Sequence, residues 1–234
     1  MTQRFRSALQ PIIDGVTGRV IAHEALMREA SIQSPLSLIA DAECSGEGSP
    51  LESQVRQAAL GRLPDLPTDQ KLFVNIDTRD ITVPITSTQP HRIVLELTER
   101  HPIVNNRPLL QQILKWRQSG YAIALDNYGC GHMGLSALVT VKPDAIKIGR
   151  PLIQNLNTDP VRLAAVDGVV TLAHRLNITV IALGVETQDE FWAARDMGIR
   201  WMQGFLLAYP GPEPITAVSI PLRRKAGPLI PPPC

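Results

Sequence analysis

The chain has 234 residues, 44% of them hydrophobic and 19% charged, a globular composition that excludes a disordered or fibrous protein. Its 23 basic and 22 acidic side chains nearly cancel, so no net field draws it onto DNA or an anionic membrane, and any recognition of an anion has to be local. No segment approaches the roughly 18 apolar residues of a membrane span, and Cys44, Cys130 and Cys234 have neither the number nor the spacing of a disulfide framework or a zinc site, so a cytoplasmic protein with reduced thiols is expected.

In chain order, QPIID (10–14) and VIAHEAL (20–26) are separated only by GVTGR, too short for a helical crossover, and should form an antiparallel hairpin. From LFVNI (72–76) onward the strands are near-continuous Val, Ile and Leu, the pattern of a parallel sheet covered on both faces. The link from 77 to 92 carries two prolines and many β-branched residues, which predicts an irregular crossover. IVLEL (93–97) follows; then Leu109, Leu110, Ile113 and Leu114 stand at helical spacing before YAIALD (121–126) and AIKIG (145–149). Val166, Val169, Val170, Ala173 and Leu176 mark a further helix ahead of ITVIALGV (178–185). Thr187 and Glu190 form the T-x-x-E pattern of a capping box, so the next helix begins where that strand ends. QGFLLA (203–208) reads as the last strand. Seven or eight strands with mostly helical links predict an α/β barrel in one domain, residues 1–220. The proline-rich, basic stretch 221–234 reads as a flexible tail.

Polar residues recur within or at the ends of these apolar strands: Glu24, Asn75, Glu96, Asp126, Lys147 and Gln203. Singly, each has a structural explanation, such as a salt bridge for Glu96 or a buried backbone group satisfied by Asn75. As a group they are harder to explain that way. Several carboxylates converging on one barrel end repel one another unless a cation lies between them. An all-oxygen set of Glu, Asn, Glu and Asp suits a hard divalent ion, Mg²⁺ or Mn²⁺, and Lys147 adds a charge for a phosphate or for positioning a water.

In the stretches LQPIIDGVTGRVIAHEALMRE, LFVNI, LELTER, ALDNYGCGHMGL, DAIKIGR, VIALGVET and QGFLLAYP the chain resembles the EAL domain, the bacterial cyclic di-GMP phosphodiesterase family, from about Ala8 to Pro210. The resemblance implies a modified TIM-type (β/α)8 barrel whose first strand is antiparallel, with the dinucleotide bound across the C-terminal mouth. Active members use two metals to open one phosphodiester and give linear pGpG. By resemblance, Glu24, Asn75, Glu96 and Asp126 are ligands of the first metal. Lys147 and Gln203 stand near the attacking water and second metal, Gln10, Leu26 and Arg28 contact the nucleotide, and Glu99 steadies the loop after Asp126. A homodimer through barrel helices is a further expectation by resemblance.

Two positions depart from the family pattern. The pair of aspartates after the fifth strand is here Asp126 and Asn127, and the glutamate of AEGVET is Leu183. Asn127 offers a carbonyl oxygen without charge, and Leu183 coordinates nothing. One metal site is therefore expected, with the second weakened or lost. The loop also carries Cys130, where the family has threonine, and His132, which reads as a solvent-facing residue. Glu186 is expected to serve the following helix N-terminus through its charge. The leading reading is a degenerate EAL protein that binds cyclic di-GMP as a receptor. The alternatives are an active Mg²⁺- or Mn²⁺-dependent phosphodiesterase and a protein-binding adaptor without nucleotide.

Overall fold

The computed structural model describes residues 5–29, 48–78, 81, 84–98, 103, 106–129 and 134–223. Eight strands close into a barrel in sequence order: β1 (Phe5–Asp14), β2 (Val20–Glu29), β3 (Lys71–Ile76), β4 (Ile93–Leu97), β5 (Ala122–Tyr128), β6 (Ala145–Ile148), β7 (Thr179–Leu183) and β8 (Trp201–Gln203). β1 is antiparallel to both β2 and β8, and every other neighbouring pair is parallel. This is the TIM-type barrel with a reversed first strand that the short GVTGR connection and the resemblance imply.

Helices Gly48–Leu60, Arg107–Gln118, Leu135–Val141, Arg150–Ile153, Pro160–Arg175 and Gln188–Asp196 run between the strands. Their apolar sides meet the outward faces of the strands in two large clusters, one around Leu72, Leu95, Leu109 and Ile123, the other around Ile148, Val166, Ala182 and Phe191. Caps fix the helix starts. Asn106 accepts from Leu109 N–H, and Asp159 accepts from Val161 and Arg162 N–H. The Thr187 and Glu190 capping box forms reciprocally as the sequence predicts.

Two connections bear on the site. The described part of the β3–β4 link holds only a 3₁₀ turn, Pro90–Arg92, as its prolines predict. The predicted strand QGFLLA is corrected: β8 is Trp201–Gln203, and the chain turns at Gly204, whose carbonyl accepts from Leu207 and Ala208 N–H. The reason is steric. A Cβ on Gly204 would lie 2.1 Å from Val185 O, so only glycine lets the chain pass that close to the end of β7 and turn off the sheet.

β1 and β8 share only two register pairs, Ile13 with Met202 and Asp14 with Trp201. The open upper edge of the hairpin is paired instead by the segment after Pro210. Leu9 and Gly211 exchange two backbone hydrogen bonds, and Arg19 bridges Ala217. The segment is tied down at Arg223, which pairs with Asp196 at 2.6 Å and lies 5.3 Å from the Trp192 ring. Glu99, Cys44, Cys130, His132, Cys234 and residues 224–234 of the predicted tail lie outside the described residues.

Candidate functional site

The site follows from strand periodicity. Inside the barrel, Ile12, Ala22, Phe73, Val94, Ala124, Ala145 and Ile181 form an apolar plug, with Trp201 packed against it. Side chains alternate faces along a strand, so the residue two positions toward the C-terminal mouth returns to the interior. On the eight strands in order that residue is Gln10, Glu24, Asn75, Glu96, Asp126, Lys147, Leu183 and Gln203. One step of the pleat gathers every predicted strand-end residue into a single ring. Seven members are polar; Leu183 is the exception.

The ring is organised around Lys147, whose side chain is 1% exposed. Its ammonium lies 2.7 Å from Glu24 Oε2, 2.6 Å from Glu96 Oε1 and 3.9 Å from Asp126 Oδ1. Glu24 collects further donors, Asn75 Nδ2 at 3.0 Å and Gln203 Nε2 at 2.9 Å, and Gln203 also reaches Gln10 Oε1 at 3.0 Å. Burial opposes the charge on Lys147, but Glu24, then Glu96 and Asp126, outweigh it and raise its pKa. Burial would raise Glu24 as well, and there Lys147 outweighs it and the pKa falls.

Glu96 behaves oppositely at almost the same distance from the ammonium. Burial, and next the charge of Glu24, push it well above the ordinary carboxylate range. The difference lies in the donors: Glu24 is stabilised as an anion by two amides as well as Lys147, whereas Glu96 has Lys147 without the amides and its Oε2 accepts no hydrogen bond. Asp126 is raised too, by burial first, and its Oδ1, 3.9 Å from the ammonium, accepts no hydrogen bond. Two buried carboxylates thus keep free oxygens aimed at a centre that one ammonium neutralises incompletely.

Asn127 sits at φ 51 and donates from Nδ2 to Asp126 Oδ2 at 2.9 Å, so its amide serves as a neutral donor to the neighbouring acid. It lines, with Gln10, Glu24, Asp126, Lys147 and Leu183, a cavity of about 360 Å³ at the mouth. Arg150, at the start of the helix after β6, lines the same cavity and was not singled out from the sequence. A basic residue directly after the IKIG strand was the available signal. Arg150 donates to Gly184 O, pairs with Glu186 at 2.6 Å, and packs against the Gly184 backbone, where a Cβ would meet its Cβ and Cδ at under 3 Å. Glu186 therefore spends its charge on Arg150 rather than on the helix start. Phe205 also lines the cavity and stacks on Tyr209 with ring centroids 4.5 Å apart.

Of the predicted nucleotide contacts, Gln10 lies in the ring, while Leu26 and Arg28 continue the same face of β2 outward; Arg28 lines a neighbouring cavity of about 510 Å³. Among the described residues, no three acidic, histidine or cysteine side chains enclose a metal-sized space by themselves, because the lysine stands between the carboxylates. Their chemistry still fits a hard cation. The three carboxylates offer only oxygen and are buried, and Glu96 Oε2 and Asp126 Oδ1 accept no hydrogen bond.

A family model described as EAL domain matches residues 1–210. A probable cyclic di-GMP phosphodiesterase of Escherichia coli, PdeG, is 30% identical over 220 residues, 86% of this chain and 43% of that protein, so the chain spans less than half its length. The blue light- and temperature-regulated antirepressor BluF of Escherichia coli is 26% identical over 231 residues, 93% of this chain and 57% of that protein. Among solved structures, a calcium and cyclic di-GMP complex of Klebsiella pneumoniae BlrP1 superposes with a TM-score of 0.83 at 27% identity, covering 92% of this chain and 58% of that one. A standalone EAL protein of Vibrio cholerae with bound cyclic di-GMP gives 0.80 at 27% identity, covering 92% of this chain and 97% of that one. No helix among the described residues is long and apolar enough to cross a membrane.

Proposed function

The chain belongs to the EAL domain family, and from that premise we propose that it is a cytoplasmic receptor that binds cyclic di-GMP across the barrel mouth and hydrolyses it weakly or not at all. The observation that carries this reading is Leu183: one of the eight inward positions of the ring is aliphatic, and it faces the cavity shared by Asp126, Lys147 and Gln203. Solved relatives that hold cyclic di-GMP with calcium or manganese support the ligand and a divalent ion.

Glu24, Asn75, Glu96 and Asp126 would hold one Mg²⁺ or Mn²⁺ ion, which when bound supplies positive charge for a phosphate oxygen and acidifies a coordinated water. The chain's own groups do the rest. Gln10, held by Gln203, presents an amide at the cavity wall, and Arg150 adds a fixed cation above it. Lys147 is the proton-bearing group nearest the carboxylates. What the ring lacks is a second acidic locus. Asn127 turns its amide nitrogen to Asp126, and Leu183 offers no donor atom. If the missing locus forfeits about 4 kcal/mol of transition-state stabilisation, turnover falls roughly a thousandfold, whereas contacts from amides and guanidinium groups to the nucleotide survive.

The test pairs two measurements on the wild-type chain: calorimetric titration with cyclic di-GMP in Mg²⁺ or Mn²⁺, and chromatography for pGpG over a day at high enzyme concentration. Heat without product is expected. Efficient pGpG formation would overturn the receptor reading in favour of an active phosphodiesterase. A second reading, output through a protein partner without nucleotide, is supported by the relative named an antirepressor; it predicts no heat in the first measurement.

A further inference from the structure

The hairpin carries a second charged feature beyond the ring. Arg6 and Arg28 are direct cross-strand partners in the antiparallel β1–β2 register, on the same face as Gln10 and Glu24. Side chains paired this way have Cβ atoms about 5 Å apart, and like charges directly opposed destabilise a sheet. Both residues are exposed and both line the cavity of about 510 Å³ together with Ala8, Arg62 and Gly211. No acidic side chain is among the described residues that line it.

The third guanidinium there is already committed. Arg62 pairs with Asp65 at 2.6 Å and donates to the carbonyls of Ser7 and Pro212. Arg28, by contrast, donates to Met27 O at 2.8 Å, and among the described residues neither Arg28 nor Arg6 has an acidic side-chain partner. Two adjacent guanidinium forks facing a cavity with no counter-charge among its described lining residues make a cationic pair open to an anion. A phosphate oxyanion matches it, because a guanidinium donates two parallel hydrogen bonds to such a group.

We propose that Arg6 joins Arg28 in a two-arginine clamp for a phosphate-type oxyanion, a subsite about 13 Å along the strands from the level of Glu24, at 3.3 Å per residue. The clamp deepens the nucleotide reading and rests on it for its natural ligand: Arg28 is a nucleotide contact in that reading, and Arg6 is the added residue. The oxyanion comes either from the bound dinucleotide or from free phosphate. The clamp works without the carboxylate ring or any metal in it.

The experiment compares wild type with Arg6→Gln and Arg6→Lys, each checked for an unchanged melting temperature, which the exposure of Arg6 favours. Cyclic di-GMP is titrated with Ca²⁺ present, at low and high salt, and inorganic phosphate is titrated separately by thermal shift. If the dinucleotide supplies the oxyanion, Arg6→Gln binds it about tenfold more weakly, the loss of a charge-assisted hydrogen-bond pair. Its salt dependence becomes shallower, Arg6→Lys recovers only part of the affinity, and Ca²⁺ binding is unchanged. If free phosphate supplies it, phosphate stabilises wild type and not Arg6→Gln. Cyclic di-GMP affinity within twofold of wild type, together with identical phosphate responses, overturns the clamp. Should wild type take up no cyclic di-GMP, the nucleotide reading fails, and the phosphate arm alone then decides the clamp.

Discussion

Lys147 and Glu96 lie 2.6 Å apart in the barrel interior, yet the acid keeps its proton tendency while the amine keeps its charge. One ammonium thus serves three carboxylates as an internal counter-ion, occupying the centre on which their oxygens converge.

Lys147→Met should therefore cost the metal-free protein roughly 3–5 kcal/mol, the scale for removing one partner of a buried ion pair. A divalent ion should then recover much of that loss. Thermal unfolding with and without Mn²⁺ checks this: the shift produced by Mn²⁺ is expected to be larger in the variant than in wild type. An equal or smaller shift would show that lysine and cation do not share the same oxygens.

Metal uptake should release protons. Glu96 has its pKa raised by burial and by the charge of Glu24, so a cation at its Oε2 competes with protonation there, and affinity for Mn²⁺ is expected to rise with pH. Titration in two buffers of different ionisation enthalpy reads the released proton directly. The same shift has the opposite sign for the metal-free fold. A carboxyl whose pKa is raised on folding contributes stability below the ordinary carboxylate value, and that contribution fades as pH climbs through the raised one.

Restoring the acids should restore chemistry. Leu183→Glu combined with Asn127→Asp is expected to produce pGpG at a rate at least a hundredfold above wild type, about 2.7 kcal/mol off the barrier. The product should vanish when Glu24→Gln is added. Chromatography of the nucleotide products measures both. A double variant that binds cyclic di-GMP but yields no product would mean that the scaffold lacks more than those two carboxylates.

His23 gives the acid limb of stability. The ring is buried on β2, its Nε2 accepts from Ile215 N–H at 3.2 Å, and burial lowers its pKa from 6.5 to about 4. The unfolded chain binds the proton first, so the stabilising contribution is complete above pH 6.5 and is lost as pH falls from 6.5 toward 4. His23→Gln should flatten that limb in denaturant titrations across the same window.

Gly204→Ala should be among the most damaging methyl additions at the described glycines. Its Cβ would fall 2.1 Å from Val185 O and 2.3 Å from Val185 N, so backbone must move, and Gln203 moves with it. A loss of at least about 3 kcal/mol in denaturant unfolding is expected, in the range of severe overpacking. Weakened nucleotide binding should accompany it, because Gln203 links Gln10 to Glu24.

Much of this architecture is legible in the residues alone, for reasons that also mark where legibility ends. IVLEL and AIKIG announce buried parallel strands because their apolar runs are short, unbroken and bounded by turns. The carboxylates stand out because an acid inside such a run has no bland reason to be there. The end of β8 did not announce itself: FLLA is as apolar as a strand, and only the approach of Val185 from another part of the chain turns it away. The grip of Lys147 on Glu24 joins residues 123 positions apart and is set by barrel closure rather than by any local pattern. The Arg6 and Arg28 pairing depends on the hairpin register, which the five-residue loop leaves open by one or two positions; a slip of one would put one arginine on the opposite face.

The segment that closes the hairpin has a practical bearing on where the domain can be cut. The family match stops at residue 210, but Leu9 N–H and C=O, Val20 N–H and Gly18 C=O are all satisfied by residues 211–218. A fragment trimmed at the match boundary would strip four main-chain hydrogen bonds from the hairpin that carries Gln10 and Glu24, leaving a raw sheet margin open to association with other chains. Expression designs for this barrel should run through Arg223, whose ion pair with Asp196 fastens the closing segment to the last helix.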